Sequence, residues 1–398
     1  MKIVYVDETF HPAYGYQSNP LAKFQQKQGN DISIVTVDKD HLHPVYKAFG
    51  DNGESVEEDD IAYQKDTNVK IIRVKTNGYF MHRAVYTHDV FKAVRDQKPD
   101  VVFVHCVETL TAMRFLIHKK EWPLMFDSHM LSMASQSRFV GVFEAFYRLI
   151  FRRIIEKHKY FVVRTQDDDY VNTHLGIKPE LTPFISFGTD TLLFHPSEAD
   201  RIRFRKEYGI SQNDFVVVYT GKLTKAKGGK LLAEAFKEKF NPNVILVCVG
   251  SPPNDEYGKE VQKILDASEN RIIMFPTQKY TELAKFYQMA DLSIFPKQCS
   301  LSFYDAQACG LPVLSEDNNV NRDRCSHGNG DNFESGNIDD LRSKILKFET
   351  MNKDTFETYR HNSVSYIENG FDYAIIAKKY TEYLAKSIEI YNRNKRKG

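Results

Sequence analysis

The chain has 398 residues, with 54 Lys and Arg against 53 Asp and Glu, a formal net charge of +1. That length is too great for one ordinary domain and points to two or three. The charge balance excludes a dedicated nucleic-acid binder, which would be strongly basic, and 22 Tyr with 28 Phe exclude a mostly disordered chain.

The N-terminal run Met1–Asp7 is too short and lacks a small-residue cleavage site for a signal peptide. No run of about 18 apolar residues spans a membrane. The cysteines Cys106, Cys248, Cys299, Cys309 and Cys325 are dispersed without metal-like spacing, as in a reducing compartment. The expectation is a cytoplasmic protein, with peripheral contact at the inner face of a membrane left open.

In chain order, strand-like runs fall at Ile3–Val6, Ile32–Val37, Val69–Val74, Val101–His105, Pro123–Phe126 and Tyr160–Arg164. Each is almost continuously apolar, as in parallel strands covered on both faces. Helical stretches such as Leu21–Gln28 and His88–Gln97 alternate with them, so the order is βαβα. The acidic stretch Asp51–Asp60 reads as a solvated loop. Arg138–Lys159 is apolar and basic together, with Arg138, Arg148, Arg152, Arg153, Lys157 and Lys159 against Glu144 and Glu156. It reads either as a core helix with a basic outer face or as a segment lying on anionic lipid.

The pattern restarts with Phe215–Thr220, Val244–Val249, Arg271–Phe275, Asp291–Phe295 and Pro312–Leu314. Helical candidates between them are Leu231–Lys239, Glu260–Asp266, Thr281–Met289 and Phe303–Cys309. A turn-rich stretch at Phe194–Ser197 marks the domain junction. Residues 1–195 read as an N-terminal Rossmann-like domain and 196–371 as a second, C-terminal one. An amphipathic helix at 372–392, carrying Ile375, Ile376, Tyr380, Leu384 and Ile388, returns to the first. The fold class is α/β, two Rossmann-like domains facing across a cleft.

Ligands of open α/β sheets bind outside the carboxyl ends of the strands, so the loops after strands carry the chemistry. Gly221-Lys222-Leu223-Thr224-Lys225-Ala226-Lys227-Gly228-Gly229 sets lysines before a helix starting near Lys230, which suits a diphosphate. It lacks the Walker spacing, and a solvated basic loop is the bland alternative. In Pro296–Val313, Ser300 reads as a helix N-cap, and Asp305 reads either as a first-turn acid or as an acceptor for sugar hydroxyls. His129 follows the fifth strand, with His105 a weaker candidate of the same kind. Gly15, in the loop after the first strand, permits close backbone approach. Asp167-Asp168-Asp169 looks like a metal-binding D-x-D, yet capping and the helix dipole explain acids at that place.

Taken together, the loops resemble glycosyltransferase family 4, nucleotide-sugar-dependent retaining transferases of GT-B fold. Tyr219–Leu223 followed by Lys227-Gly228 resembles the family's "G-R-L … K-G" motif. Gly188-Thr189-Asp190 with Phe194-His195-Pro196 is similar to "G-V-D … F-x-P". Ala290–Pro296 and Asp305–Val313 are similar to "A-D … P" and "E-A-x-A-C-G-x-P-V". The resemblance implies that Lys222 and Lys227 hold the donor diphosphate and that Asp305 binds the nucleotide ribose. It also implies that Ser300, Leu301 and Ser302 contact phosphate or sugar through their N–H groups. Thr277, within Phe275–Gln278, would face the base, His129 would lie near the anomeric carbon, and Gly15 would belong to the loop over the sugar. Two positions depart from the pattern: no acid occupies Lys297 through Tyr304, where the family often has a glutamate, and Lys222 stands for an arginine.

The function so implied is a metal-independent hexosyl transfer, with no cofactor, from a nucleotide diphosphate sugar to a glycan hydroxyl. A UDP-sugar is favoured as donor, and a cell-surface polysaccharide or lipid-linked glycan as acceptor. A nucleotide-sugar 2-epimerase and an inactive nucleotide-sugar-binding partner are the alternatives.

Overall fold

The computed structural model describes every residue except 48–52, 81, 132–139, 241–242, 298–299 and 398, with the side chains of 47 and 397 also left aside. Of the residues named above, Asp51, Arg138 and Cys299 therefore lie outside the described residues. The chain divides into two compact units, Met1–Phe187 with Tyr373–Gly398, and Gly188–Asp372.

The first unit is a parallel sheet of six strands: β1 (Lys2–Val6), β2 (Asp31–Val37), β3 (Lys70–Val74), β6 (Val101–Val104), β7 (Leu124–Ser128) and β8 (Phe161–Arg164). The remaining two, β4 (Thr76–Phe80) and β5 (Arg83–Tyr86), form a separate antiparallel hairpin. The sheet order is β3-β2-β1-β6-β7-β8. Apolar side chains fill both faces, which is why the strands read as continuous hydrophobic runs. The C-terminal helix Tyr373–Lys397 covers one face, burying Ile376, Ala377, Tyr380 and Leu384. Tyr380 accepts a 2.5 Å hydrogen bond from Gln17 Nε2, and Gln25 donates to Thr381 at 2.9 Å.

The second unit repeats the plan with β9 (Phe215–Thr220), β10 (Val244–Val249), β11 (Arg271–Phe275), β12 (Leu292–Phe295), β13 (Val313–Glu316) and β14 (Gly330–Phe333), ordered β11-β10-β9-β12-β13-β14. Asp291, just before β12, accepts from Arg201 and Arg205 at 2.6 Å each and from the Val216 amide at 2.7 Å. These groups lock the Glu198–Glu207 helix to the sheet, so the Ala-Asp pair before β12 is structural here.

Several expectations are corrected. The division falls between Phe187 and Gly188 instead of after residue 195, because the connecting residues bond within the second unit: Thr189 N donates to Phe371 O at 2.8 Å and Phe194 N to Asp190 O at 2.8 Å. The acidic stretch is no loop beyond Ser55, since Val56–Thr67 is a helix. Its Asp60 is buried and takes a bidentate pair from Arg73 at 2.6 and 2.8 Å. The basic apolar segment is two helices, Val140–Leu149 and Phe151–His158. The stretch 281–289 is a 3₁₀ turn, Tyr280–Glu282, followed by the helix Ala284–Gln288. Strand β14 was not foreseen: Gly-Asp-Asn-Phe has low β propensity and sits at the sheet edge, where the pairing partner decides.

Candidate active site

Both sheets have one switch point, where successive crossovers leave in opposite directions. In the second unit it lies between β9 and β12, and the two loops that follow those strands carry the implied donor residues. After β9, Tyr219 donates to the Lys222 carbonyl at 2.8 Å and curls the chain back. Gly221 has φ +137°, and a Cβ there would stand 3.6 Å from Lys227 Nζ. The Lys227 ammonium therefore folds back over Gly221. Gly228 has φ +76°, and a Cβ on it would lie 3.0 Å from Pro296 Cβ and 3.1 Å from Lys297 Cβ. This close approach brings the lysine loop against the loop after β12. Lys222 and Lys227 are half-buried while Lys225 is exposed, and burial lowers the pKa of both half-buried ammonium groups.

The second loop differs in detail from its sequence reading. The helix starts at Ser302, and Leu301 is its N-cap residue, in a helical conformation with no side-chain cap. Ser300 instead accepts from the Ser302 amide at 3.3 Å through its hydroxyl. Asp305 lies in the first turn of this helix and is buried. It is 4% exposed, and its Oδ1 accepts from Thr189 Oγ1 at 2.6 Å and from Tyr280 OH at 3.3 Å. Burial pushes its pKa up to about 7, with the two hydroxyls partly offsetting that. Tyr280 packs edge-on against Phe194, ring centroids 5.1 Å apart, so Asp305 ties the Gly188–Phe194 stretch to the turn after β11. Thr277 is exposed on that same connection.

In the first unit the switch point lies between β1 and β6. Asp7 and Glu8 follow β1, His105 to Glu108 follow β6, and Asp127 to His129 end β7. Asp127 is fully buried. Its Oδ1 accepts from the Cys106 amide at 2.7 Å, and its Oδ2 lies 3.0 Å from His105 Nδ1 and 3.1 Å from His129 Nε2. The two imidazoles meet edge to face at 4.4 Å, and His129 packs likewise on Phe187 at 4.9 Å. Burial opposes charge on His105, but Asp127, with Asp7 behind it, outweighs burial and holds its pKa well above the ordinary value. Burial also opposes charge on Asp127, and the two histidines overcome it, leaving that carboxyl well below its usual range. His129 is pulled down by burial, against the pull of Asp127, and by the neighbouring His105. The cluster therefore favours the proton on His105 over His129.

Donor atoms of His105, Cys106, Asp127 and His129 lie within 4.8 Å of one another. Burial pushes the Cys106 thiol up to about 12, and Asp127 already serves both imidazoles, so hydrogen bonding and ion pairing account for this cluster. Gly15 lies beside an aromatic group in which Tyr14 stacks on Tyr46 at 4.8 Å and His11 meets both rings. In the decoy triplet, Asp168 Oδ1 accepts from the Tyr170 amide at 2.7 Å, a local turn at the helix start.

The structure groups Lys222, Lys227, Ser300, Leu301, Ser302, Asp305 and Thr277 at the strand ends of the second unit, and His129 and Gly15 at those of the first. Sequence reasoning did not single out Asp127, Glu8, Glu108, Arg83, Thr189 or Tyr280. Acids shortly after apolar strands, Asp7 and Glu8 directly after β1 and Glu108 four residues past β6, were the available signal.

Two doubly wound units of one strand order, with these loops at their switch points, define the fold of the GT-B glycosyltransferases. Residues 200–367 match the family model for glycosyl transferases group 1, which covers nearly all of the second unit. A probable sucrose-phosphate synthase of Thermosipho melanesiensis is 23% identical over 95% of this chain and 92% of its own length. A glycosyltransferase from Rickettsia africae superposes with TM-score 0.72 at 14% identity, covering 97% of this chain and 98% of that one. Anabaena HepE, solved with UDP and glucose, superposes with TM-score 0.71 at 18% identity, covering 97% and 100% of the two chains.

Proposed function

We propose that the protein is a retaining, metal-independent glycosyltransferase of family 4 type. It moves a hexosyl group from a nucleotide diphosphate sugar, UDP-sugar favoured, to a hydroxyl of a polysaccharide or lipid-linked glycan. The observation that carries this reading is the pair Lys222 and Lys227, held half-buried by Gly221 and Gly228 against the loop after β12. As the bond to the sugar breaks, the leaving diphosphate gains charge, and preorganised ammonium groups stabilise it without reorganising. The transition state has oxocarbenium character, as in glycoside hydrolysis. Ser300, Leu301 and Ser302 contribute amides to the donor, Asp305 and Thr277 lie toward its nucleoside, and Gly15 and His129 serve the sugar from the first unit. In that role His129 acts as a neutral imidazole aligned by Asp127.

Contact with an anionic membrane surface is part of the proposal. The helix Val140–Leu149 exposes Val142 (71%), Phe146 (49%) and Leu149 (57%) at helical spacing, and Arg153 is exposed on the helix that follows. An apolar stripe flanked by arginine is the pattern of interfacial helices. Among the described residues no helix is long and apolar enough to cross a membrane.

Two observations keep other readings open to test. The absence of an acid from Lys297 through Tyr304 favours a nucleotide-sugar-binding partner without turnover. Glu8 and Glu108, whose pKa burial pushes up to about 7, are acids of the kind that proton-shuttling epimerisation requires. Incubation with a panel of nucleotide sugars separates the readings. Release of nucleoside diphosphate from one donor, accelerated by an acceptor, is expected. Sugar interconversion, or binding with no turnover under any acceptor, would overturn the transferase.

A further inference from the structure

The buried acids of the first unit have no part in the donor chemistry above. Glu8 and Glu108 stand on the loops after β1 and β6, the adjacent strands at the switch point, where an open sheet receives a ligand. They are 4% and 8% exposed. Glu8 Oε2 accepts from Thr111 at 3.1 Å, while its Oε1 has no hydrogen-bond partner of normal geometry among the described residues and faces Arg83 Nη1 at 3.7 Å. Glu108 meets Ser128 through one oxygen, and its Oε2 has no hydrogen-bond partner among the described residues. Arg83 is carried here by the β4–β5 hairpin and faces both glutamates. A buried carboxyl oxygen short of donors costs roughly 1–3 kcal/mol, and Glu108 Oε2, with Glu8 Oε1 met only at 3.7 Å by Arg83, suits a ligand rich in hydroxyl donors at this strand-end position.

The local charges narrow that ligand further. Asp127 is matched by His105, which leaves Asp7, Glu8 and Glu108 with Arg83 as their cation. Asp7 accepts from Thr9 and Ser18 and adds negative charge beside Glu8. A sugar hydroxyl donates to a carboxyl oxygen in either protonation state, whereas a phosphate brings only acceptors and meets the negative charge of Asp7 and of the ionised Glu8 and Glu108, which is disfavoured above about pH 7.

We propose that Glu8 and Glu108, bracketing Arg83, form the acceptor subsite of the first unit, and that this subsite takes an uncharged, polyhydroxylated acceptor and rejects a phosphorylated one. The inference rests on the transferase reading and specifies its acceptor class.

The test uses the full chain, the donor found by the nucleotide-sugar panel, and matched probes: glucose, fructose and myo-inositol, each with its monophosphate, plus neutral oligosaccharides. A neutral probe should accelerate nucleoside diphosphate release at least tenfold more than its phosphorylated match. Glu8→Gln and Glu108→Gln should each raise the KM for that neutral acceptor about tenfold, the scale of one charge-assisted hydrogen bond, and shrink the discrimination against the phosphate. A merely structural role would leave that discrimination ratio unchanged. A phosphorylated probe as the better acceptor, release accelerated by no neutral probe, or folded variants with unaltered KM and ratio would each overturn the subsite. Should no donor be cleaved, the transferase reading fails separately. The subsite is then judged by saturation-transfer NMR, which must show a neutral sugar binding the parent and lost in Glu108→Gln; no such binding refutes it.

Discussion

Thr189 Oγ1 donates a 2.6 Å hydrogen bond to Oδ1 of Asp305, and both groups are buried. The bond joins the first residues of the second unit to the helix after β12, and with Tyr280 it gives a buried carboxyl two hydroxyl donors. Thr189→Val keeps the shape and removes one donor from that carboxyl. The expected cost is about 1–3 kcal/mol, measured as a lower thermal midpoint for the second unit.

The same carboxyl sets a pH dependence. Its folded-state pKa is raised by burial from 3.8 to about 7, so the folded state holds a proton that the unfolded state releases. The stabilisation linked to that proton is fully present below about pH 4 and is lost as pH rises through about 7. Asp305→Asn cannot titrate. Its thermal midpoint relative to the parent should therefore rise between pH 5 and pH 8, and a flat difference would refute the assignment.

Lys222→Ala should lower donor turnover by roughly 10²–10³-fold, the scale of one lost transition-state donor. Lys227→Ala should act in the same direction. Nucleoside diphosphate release reports both, and activity within threefold of the parent would remove Lys222 from the leaving-group site. Turnover should also withstand EDTA; abolition with rescue by manganese would contradict metal independence.

Asp127→Asn removes the carboxylate shared by two imidazoles. His105 then loses its counter-charge in a buried place, so its pKa should fall markedly, as read by NMR titration of the ring protons. Breaking a buried pair in this way costs about 3–5 kcal/mol, and turnover should drop together with the His105 shift. An unchanged His105 titration would show that Asp127 does not govern it.

Salt-sensitive co-sedimentation with anionic vesicles is expected through the Val140–His158 helices. Phe146→Ser with Leu149→Ser should weaken it by removing apolar area, and Arg152→Gln with Arg153→Gln by removing charge. Equal sedimentation of all forms would exclude this surface.

Much of this was legible in the linear chain. Runs such as Val4–Val6 and Val244–Val249 are strands because only a sheet covered on both faces buries continuous apolar sequence, and the glycines and lysines of residues 221–229 marked a loop before a helix. Polar groups whose partners are distant in sequence were not legible. Nothing near Arg83 in the chain points to Glu8 or Glu108, and the hairpin that carries it lies between two sheet strands. The N-cap at Ser300 was misplaced by one residue because neighbouring hydroxyls satisfy local amides almost equally well. Asp305 does lie in the first turn of its helix, but its burial was not legible because residue type does not report it.

The sequence by itself determined two doubly wound units and the loops that follow their strands, the proposed donor lysines Lys222 and Lys227 among them, since periodicity and turn chemistry are local properties. Tertiary structure alone decided which carboxyls burial pushes upward, which histidine Asp127 favours as the charged one and which buried acid oxygens lack a close donor among the described residues. Those properties depend on desolvation and on charges brought together by the strand order, and neither is a property of neighbouring residues in the chain.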